Sequence, residues 1–254
     1  MIVFDRVSKR YPNGREALLN VSLQIGAGEM VFLTGRSGAG KSSVLKLIAL
    51  LERPTRGSVT VDGANTSTLP SRAIPAFRRK VGMVFQDHKL LMDRPVFDNV
   101  ALPLVVADTP LRELDKRVRA ALDQVGLLGK ERLRPDELSI GEQQRVGIAR
   151  AVISKPPVLI ADEPTGNLDH GLALEVMRLF RRFQEVGVTI VVATHDLSLV
   201  GEFGQRVIHI DDGKVADGVA EARVAAPGAA EAPAGLRAGP GPDPAALPNL
   251  HARR

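Results

Sequence analysis

The chain has 254 residues, 44% of them apolar and 25% charged, with a net charge of +5 and no cysteine. That length can bury a core as one large domain or two small ones, and the missing cysteine excludes disulfides and thiolate metal sites while permitting a reducing compartment. The basic balance fits docking near anionic lipid or nucleic acid, and fits equally a basic surface with no special partner.

The first residues, Met1-Ile2-Val3-Phe4-Asp5-Arg6, carry charge where a signal peptide needs an apolar stretch. Val31-Phe32-Leu33 reads as a strand leading into a glycine-rich loop, and Ser43 to Leu51 as a helix that stops before Pro54. Ser58 to Val61 followed by Asp62-Gly63 reads as a strand and a tight turn. Val81 to Phe85, Val158 to Ala161 and Thr189 to Ala193 read as buried strands. Between the first two of these, Leu114, Val118, Leu122 and Val125 recur at helical spacing.

Strands alternating with helices predict a largely parallel sheet covered on both faces. The helical stretch becomes a subdomain inserted at about residues 87–155. Apolar runs such as Val188 to Ala193 are far too short to span a bilayer, so action at a membrane requires another chain. After Gly218 the composition turns Ala-, Pro- and Gly-rich, through Pro227, Pro233, Pro240, Pro242, Pro244 and Pro248. Residues 219–254 are therefore expected to be a disordered tail behind a body spanning 1–218.

Gly35-Arg36-Ser37-Gly38-Ala39-Gly40-Lys41-Ser42 matches the phosphate-loop pattern, between a predicted strand and a predicted helix that Ser43 continues. Its glycines let backbone N–H groups turn toward phosphates without a Cβ in the way. Lys41 can reach the β- and γ-phosphates, and the Ser42 hydroxyl can ligate Mg²⁺. A second site follows Val158-Leu159-Ile160-Ala161: Asp162 ends the strand where a water-mediated Mg²⁺ contact belongs, and Glu163 suits the base that activates a water. Taken alone, two carboxylates at a strand end are equally a solvated loop start; beside a phosphate loop they read as chemistry. Ser139 and Glu142 form a Ser-x-x-Glu capping box opening a helix through Ala151, and a helix N-terminus is also an anion site.

Together these residues predict a phosphate-loop NTPase that uses Mg²⁺, and the resemblance that follows implies ATP as its nucleotide. Leu138-Ser139-Ile140-Gly141-Glu142-Gln143-Gln144 resembles the signature sequence of ABC ATPases, apart from Ile140, where that family usually has glycine. The resemblance covers nearly all of residues 1–218 and implies the ABC nucleotide-binding fold: an α/β phosphate-loop core sheet, an antiparallel β subdomain and an inserted helical subdomain.

It further implies a Q-loop role for Gln86 at the metal and the attacking water, a D-loop role for Asp169 and a switch role for His195. Tyr11 falls where the family stacks an aromatic on adenine. Ser139, Gly141 and Glu142 would face the γ-phosphate held by a second copy, so one copy is expected to be incomplete and to form an ATP-bound homodimer.

Phe85 to Arg94 and Asp98-Asn99-Val100 resemble the FtsE family of bacterial cell-division ATPases. That likeness implies an FtsX-like integral membrane partner, a peripheral position on the cytoplasmic face of the inner membrane at the division septum, contact with the division ring, and no nucleic acid. It implies coupling of ATP turnover to septal cell-wall hydrolysis. Residues 161–169 are shared more widely, which keeps two other readings open: the ATPase of a lipoprotein-release or macrolide-export transporter, and an ATP-gated scaffold. The stretch from Asp87 to Val100, with Leu90, Leu91, Met92 and Phe97, is expected either to receive the partner or to pack the helical subdomain internally.

Overall fold

The computed structural model describes residues 1–215; the tail expected at 219–254 lies outside the described residues. The N-terminal strands Ile2–Arg10 (β1) and Glu16–Ile25 (β2) pair antiparallel, and β1 also pairs with Arg56–Val61 (β4), which turns into Ala64–Asn65 (β5). This is the antiparallel subdomain, in the order β2-β1-β4-β5. The tight turn expected at Asp62-Gly63 is there, with both residues in the left-handed region.

The second sheet is built from Met30–Thr34 (β3), Val81–Val84 (β6), Val158–Asp162 (β7), Thr189–Ala193 (β8), Arg206–Asp211 (β9) and Lys214–Val215 (β10). Its order is β10-β9-β3-β8-β7-β6, parallel except for the β9–β10 hairpin at one edge.

The continuous apolar character of its central strands has a direct cause: both faces are buried. Met30 and Phe32 of β3, Leu159 and Ala161 of β7, and Ile190 and Val192 of β8 point into one core. Val31 and Leu33, Val158 and Ile160, and Val191 and Ala193 point into the other. Period-two alternation of side chains on a two-sided sheet confines the buried polar residues of β3 and β8 to their ends, Thr34 and Thr189.

The second core is closed by Lys41–Ile48 (α1) and by the antiparallel sheet, through Phe4, Leu18 and Val59. The first holds Val96–Val106 (α3), Leu111–Gln124 (α4), Ile140–Val152 (α5) and His170–Glu185 (α6). The stripe read from spacing, Leu114, Val118, Leu122 and Val125, is buried throughout. Truncating a ring at the heart of this packing, such as Phe32 or Phe180, would cost about 3–5 kcal/mol.

Helix boundaries shift slightly from expectation. α1 begins at Lys41, directly behind Gly40 at φ 119, and ends at Ile48, with Leu50 in the left-handed region. The glycine that lets the loop turn also starts the helix, and spacing alone cannot locate that start. Ile74–Arg78 (α2) and Leu197–Phe203 (α7) complete the helices of the described residues. None of the helices among the described residues is long and apolar enough to cross a membrane.

Candidate active site

The glycine-rich loop sits at the carboxyl end of β3, the edge at which a parallel sheet presents its connecting loops to ligands. Gly35, Gly38 and Gly40 have φ of 142, 83 and 119°. Two of them are also sterically required. A Cβ on Gly35 would stand 2.1 Å from the Ile210 carbonyl oxygen, and one on Gly40 would stand 2.5 Å from that of Ala17. The loop is thus pressed between the β9–β10 hairpin and β2, and the Gly213 amide donates to the Ala39 carbonyl at 3.0 Å.

Lys41 is buried and folds over this loop. Its Nζ donates to the Gly35 carbonyl at 2.8 Å and the Arg36 carbonyl at 3.3 Å, and lies 3.6 Å from Glu163 Oε1. Ser42 Oγ donates to Asp162 Oδ1 at 3.1 Å. Glu163 leaves β7 with φ 46°, its amide held by the Ala193 carbonyl at 2.9 Å, so its carboxylate swings toward β8. There Oε2 meets His195 Nδ1 at 2.9 Å and the His195 amide at 3.3 Å. Lys41, from the start of α1, and His195, from the loop after β8, thus meet at the carboxylate that follows β7. Burial pushes the Asp162 carboxyl above its ordinary value, against the Ser42 hydrogen bond, and the neighbouring Glu163 charge pushes the same way.

These groups line a cavity of about 760 Å³ with Tyr11, Ser37, Gly38, Gly40, Ser43 and Gln86. Gly35, Arg36 and Ala39 stand behind that lining. The Tyr11 hydroxyl is fixed by Ser43 Oγ at 3.1 Å and Glu52 at 3.3 Å, and Lys9 Nζ sits 5.1 Å over its ring. Three further lining residues, Asn13, Arg15 and Lys46, escaped sequence reasoning. Arg15 reaches the Gly38 carbonyl at 2.6 Å from a loop distant in sequence, and no motif marks it.

Ser139, Gly141, Glu142 and Asp169 are not brought to this cavity. Ser139 caps α5, accepting from the Glu142 amide at 3.3 Å, while Glu142 returns a bond to the Ser139 amide and pairs with Lys130. Asp169 caps α6 through the Leu172 amide at 3.0 Å. The starts of the two helices touch: a Cβ on Gly141 would stand 3.0 Å from Leu172 Cδ1. A side chain at 141 would need Leu172 to shift by a few tenths of an ångström, whereas Ile140 opens the helix 55% exposed.

A phosphate-binding loop on the end of a parallel sheet, facing a carboxylate pair, defines a phosphate-loop nucleotide-binding domain. The model of the ABC transporter family matches residues 18–166, and the chain belongs to that family, among the cell-division ATP-binding proteins called FtsE. It is 53% identical to the cell division ATP-binding protein FtsE of Escherichia coli K12, over 86% of this chain and 99% of that one. With the FtsE of Bacillus subtilis strain 168 it shares 46% identity over 84% of this chain and 93% of the other. Among solved structures it resembles the dimeric post-hydrolysis state of the ATP-binding cassette MJ0796 bound to ADP and Pi. That match has TM-score 0.79 and 38% identity, covering 85% of this chain and 97% of that one.

Proposed function

We propose that this chain hydrolyses ATP as the nucleotide-binding subunit of a bacterial cell-division complex, paired with an FtsX-like integral membrane protein. The observation that carries the hydrolytic part is Glu163, held by Lys41 on one oxygen and His195 on the other at the mouth of the phosphate loop. The extent of identity to FtsE supports the cell-division part.

ATP would lie with its phosphates against the amides of residues 37–42 and its base on the face of Tyr11 away from Lys9. Its γ-phosphate competes with Glu163 for Lys41, which frees Oε1 to take the proton of the attacking water. His195 then holds Oε2 and faces the developing charge.

The donor set fits Mg²⁺: a hydroxyl, a carboxylate and a carboxamide from Ser42, Asp162 and Gln86, all hard oxygen ligands. Burial of Asp162 leaves its charge short of compensation, which a cation beside it relieves. When bound, the ion neutralises charge on the β- and γ-oxygens. No group of three or more His, Cys, Asp or Glu side chains is placed for metal binding among the described residues, so phosphates and water must complete the sphere.

A second copy would bring Ser139, Gly141 and Asp169 to the γ-phosphate, as suits a cassette whose solved relative is dimeric. On the outer side, Leu91 and Met92 are 40% and 51% exposed just downstream of Gln86, on a turn that the buried Asn99 grips at the amide and carbonyl of Leu91. They offer the membrane partner an apolar foothold, while Leu90 and Phe97 pack inward. The chain would then work peripherally on the cytoplasmic face of the inner membrane at the septum. Affinity capture of the chain from detergent-solubilised membranes, followed by mass spectrometry, tests this. Recovery of an FtsX-like protein is expected; recovery of a lipoprotein-release or export subunit instead would overturn the cell-division reading.

A further inference from the structure

The segment from Phe85 to Pro95 joins β6 to α3 and carries Gln86 at its start. Its next turn is unusual. His88 and Lys89 both occupy the left-handed region, at φ 56 and 48°. Neither is glycine, and two consecutive left-handed residues with side chains are held only where their surroundings compel them. What compels them here is Arg150, in the last turns of α5. One guanidinium nitrogen donates to the Lys89 carbonyl at 2.7 Å and another to the His88 carbonyl at 2.5 Å. A planar fork on two successive carbonyls fixes both distance and orientation, which a single ammonium cannot do.

Among the described residues Arg150 has no carboxylate partner within salt-bridge distance, and burial lowers its basicity. A half-buried cation held by carbonyls alone gains little stability by itself. The His88 side chain fills the space beneath the turn, nine-tenths buried.

We infer that Arg150 is a positioning residue that latches the loop of Gln86, through the carbonyls of His88 and Lys89, to the signature helix, so that Gln86 and the Ser139–Gly141 helix start move as one body. This rests on the ATPase reading for its consequence but not for its geometry. Neither Arg150 nor His88 lines the cavity, so a direct part in nucleotide binding is not required of them.

The test compares the full chain with Arg150→Ala, Arg150→Lys and His88→Asn. Amide hydrogen exchange across residues 86–92 should quicken about tenfold in Arg150→Ala. Arg150→Lys should recover that protection only in part. ATP affinity measured in EDTA should stay within about twofold of the parent, while the Mg²⁺ needed for half-maximal turnover rises about fivefold or more and kcat falls. Unchanged exchange in 86–92 would overturn the latch. So would faster exchange with the parent's Mg²⁺ requirement and kcat, because the tie would then be idle. Should Arg150→Ala fail to fold, the lysine and His88 variants carry the same comparison. A parent chain with no turnover would sink the ATPase reading instead, and the exchange data would still decide whether the latch exists.

Discussion

His195 and Glu163 share a hydrogen bond of 2.9 Å between Nδ1 and Oε2, although they stand 32 residues apart on the ends of two neighbouring strands. The His195 side chain is 71% exposed and that of Glu163 only 14%, so the imidazole is the solvent-facing member of the pair. Their separate loss should have distinct consequences.

Glu163→Gln keeps the shape of the side chain and removes its ability to take a proton. Turnover, followed by phosphate release, should fall by about 10²-fold or more, with ATP affinity retained. Light scattering should show an ATP-dependent dimer of this variant, because the nucleotide that holds the two copies is no longer consumed. Turnover at the parental rate would exclude Glu163 as the base.

His195→Ala should slow single-turnover hydrolysis by about 10²-fold while sparing binding, as removal of a group that acts on the transition state does. A single-turnover rate equal to the parent's would leave His195 a mere partner of Glu163 in the resting site.

Lys41→Ala removes the charge that the loop presents to the terminal phosphates. Titration calorimetry should show ATP affinity reduced by roughly 10-fold to 100-fold, the range for a lost charge-assisted hydrogen bond.

Asp162→Asn separates function from stability. The Asp162 pKa is raised by burial, so the folded protein holds this proton more tightly than the unfolded chain does. Its ionisation therefore costs stability as pH rises through the raised value. At neutral pH the variant should melt about 1–3 °C higher than the parent, the small size reflecting partial solvent access. The gap should close as pH falls into the aspartate range. Mg²⁺-dependent turnover should be lost across the whole series.

Ile140→Gly addresses the departure from the family signature. Ile140 lies outside the left-handed region and turns much of its side chain to solvent, so the backbone has no need of glycine there. In the Glu163→Gln background, dimer affinity should change by less than about tenfold, or 1.4 kcal/mol. The helix itself should lose up to about 1 kcal/mol from the added backbone freedom.

The capping box at Ser139 and Glu142, the two-faced strands and the buried stripe of α4 were all legible from residue order, because each depends on neighbours within one or two turns or on a period of two. The phosphate loop was legible for the same reason: a backbone turned toward anions demands glycine at particular spacings. Arg15 and Lys46 were not, since a lone cation has no local signature and gains meaning only from the cavity wall it joins. The fork of Arg150 was equally silent, because its partners are carbonyls, which every residue possesses.

Residue order by itself therefore determined the groups on offer: a glycine-rich phosphate loop, a carboxylate pair, a capped helix start and the family they belong to. Tertiary structure decided which of these meet. It brought Lys41, Glu163 and His195 to one point, because β3, β7 and β8 are hydrogen-bonded neighbours that end on the same edge of the sheet. It kept Ser139, Gly141 and Asp169 at the starts of α5 and α6, apart from that cavity, because helix direction carries their capped ends to another surface. Strand adjacency and helix direction are long-range consequences of burying both faces of one sheet, and local sequence does not encode them.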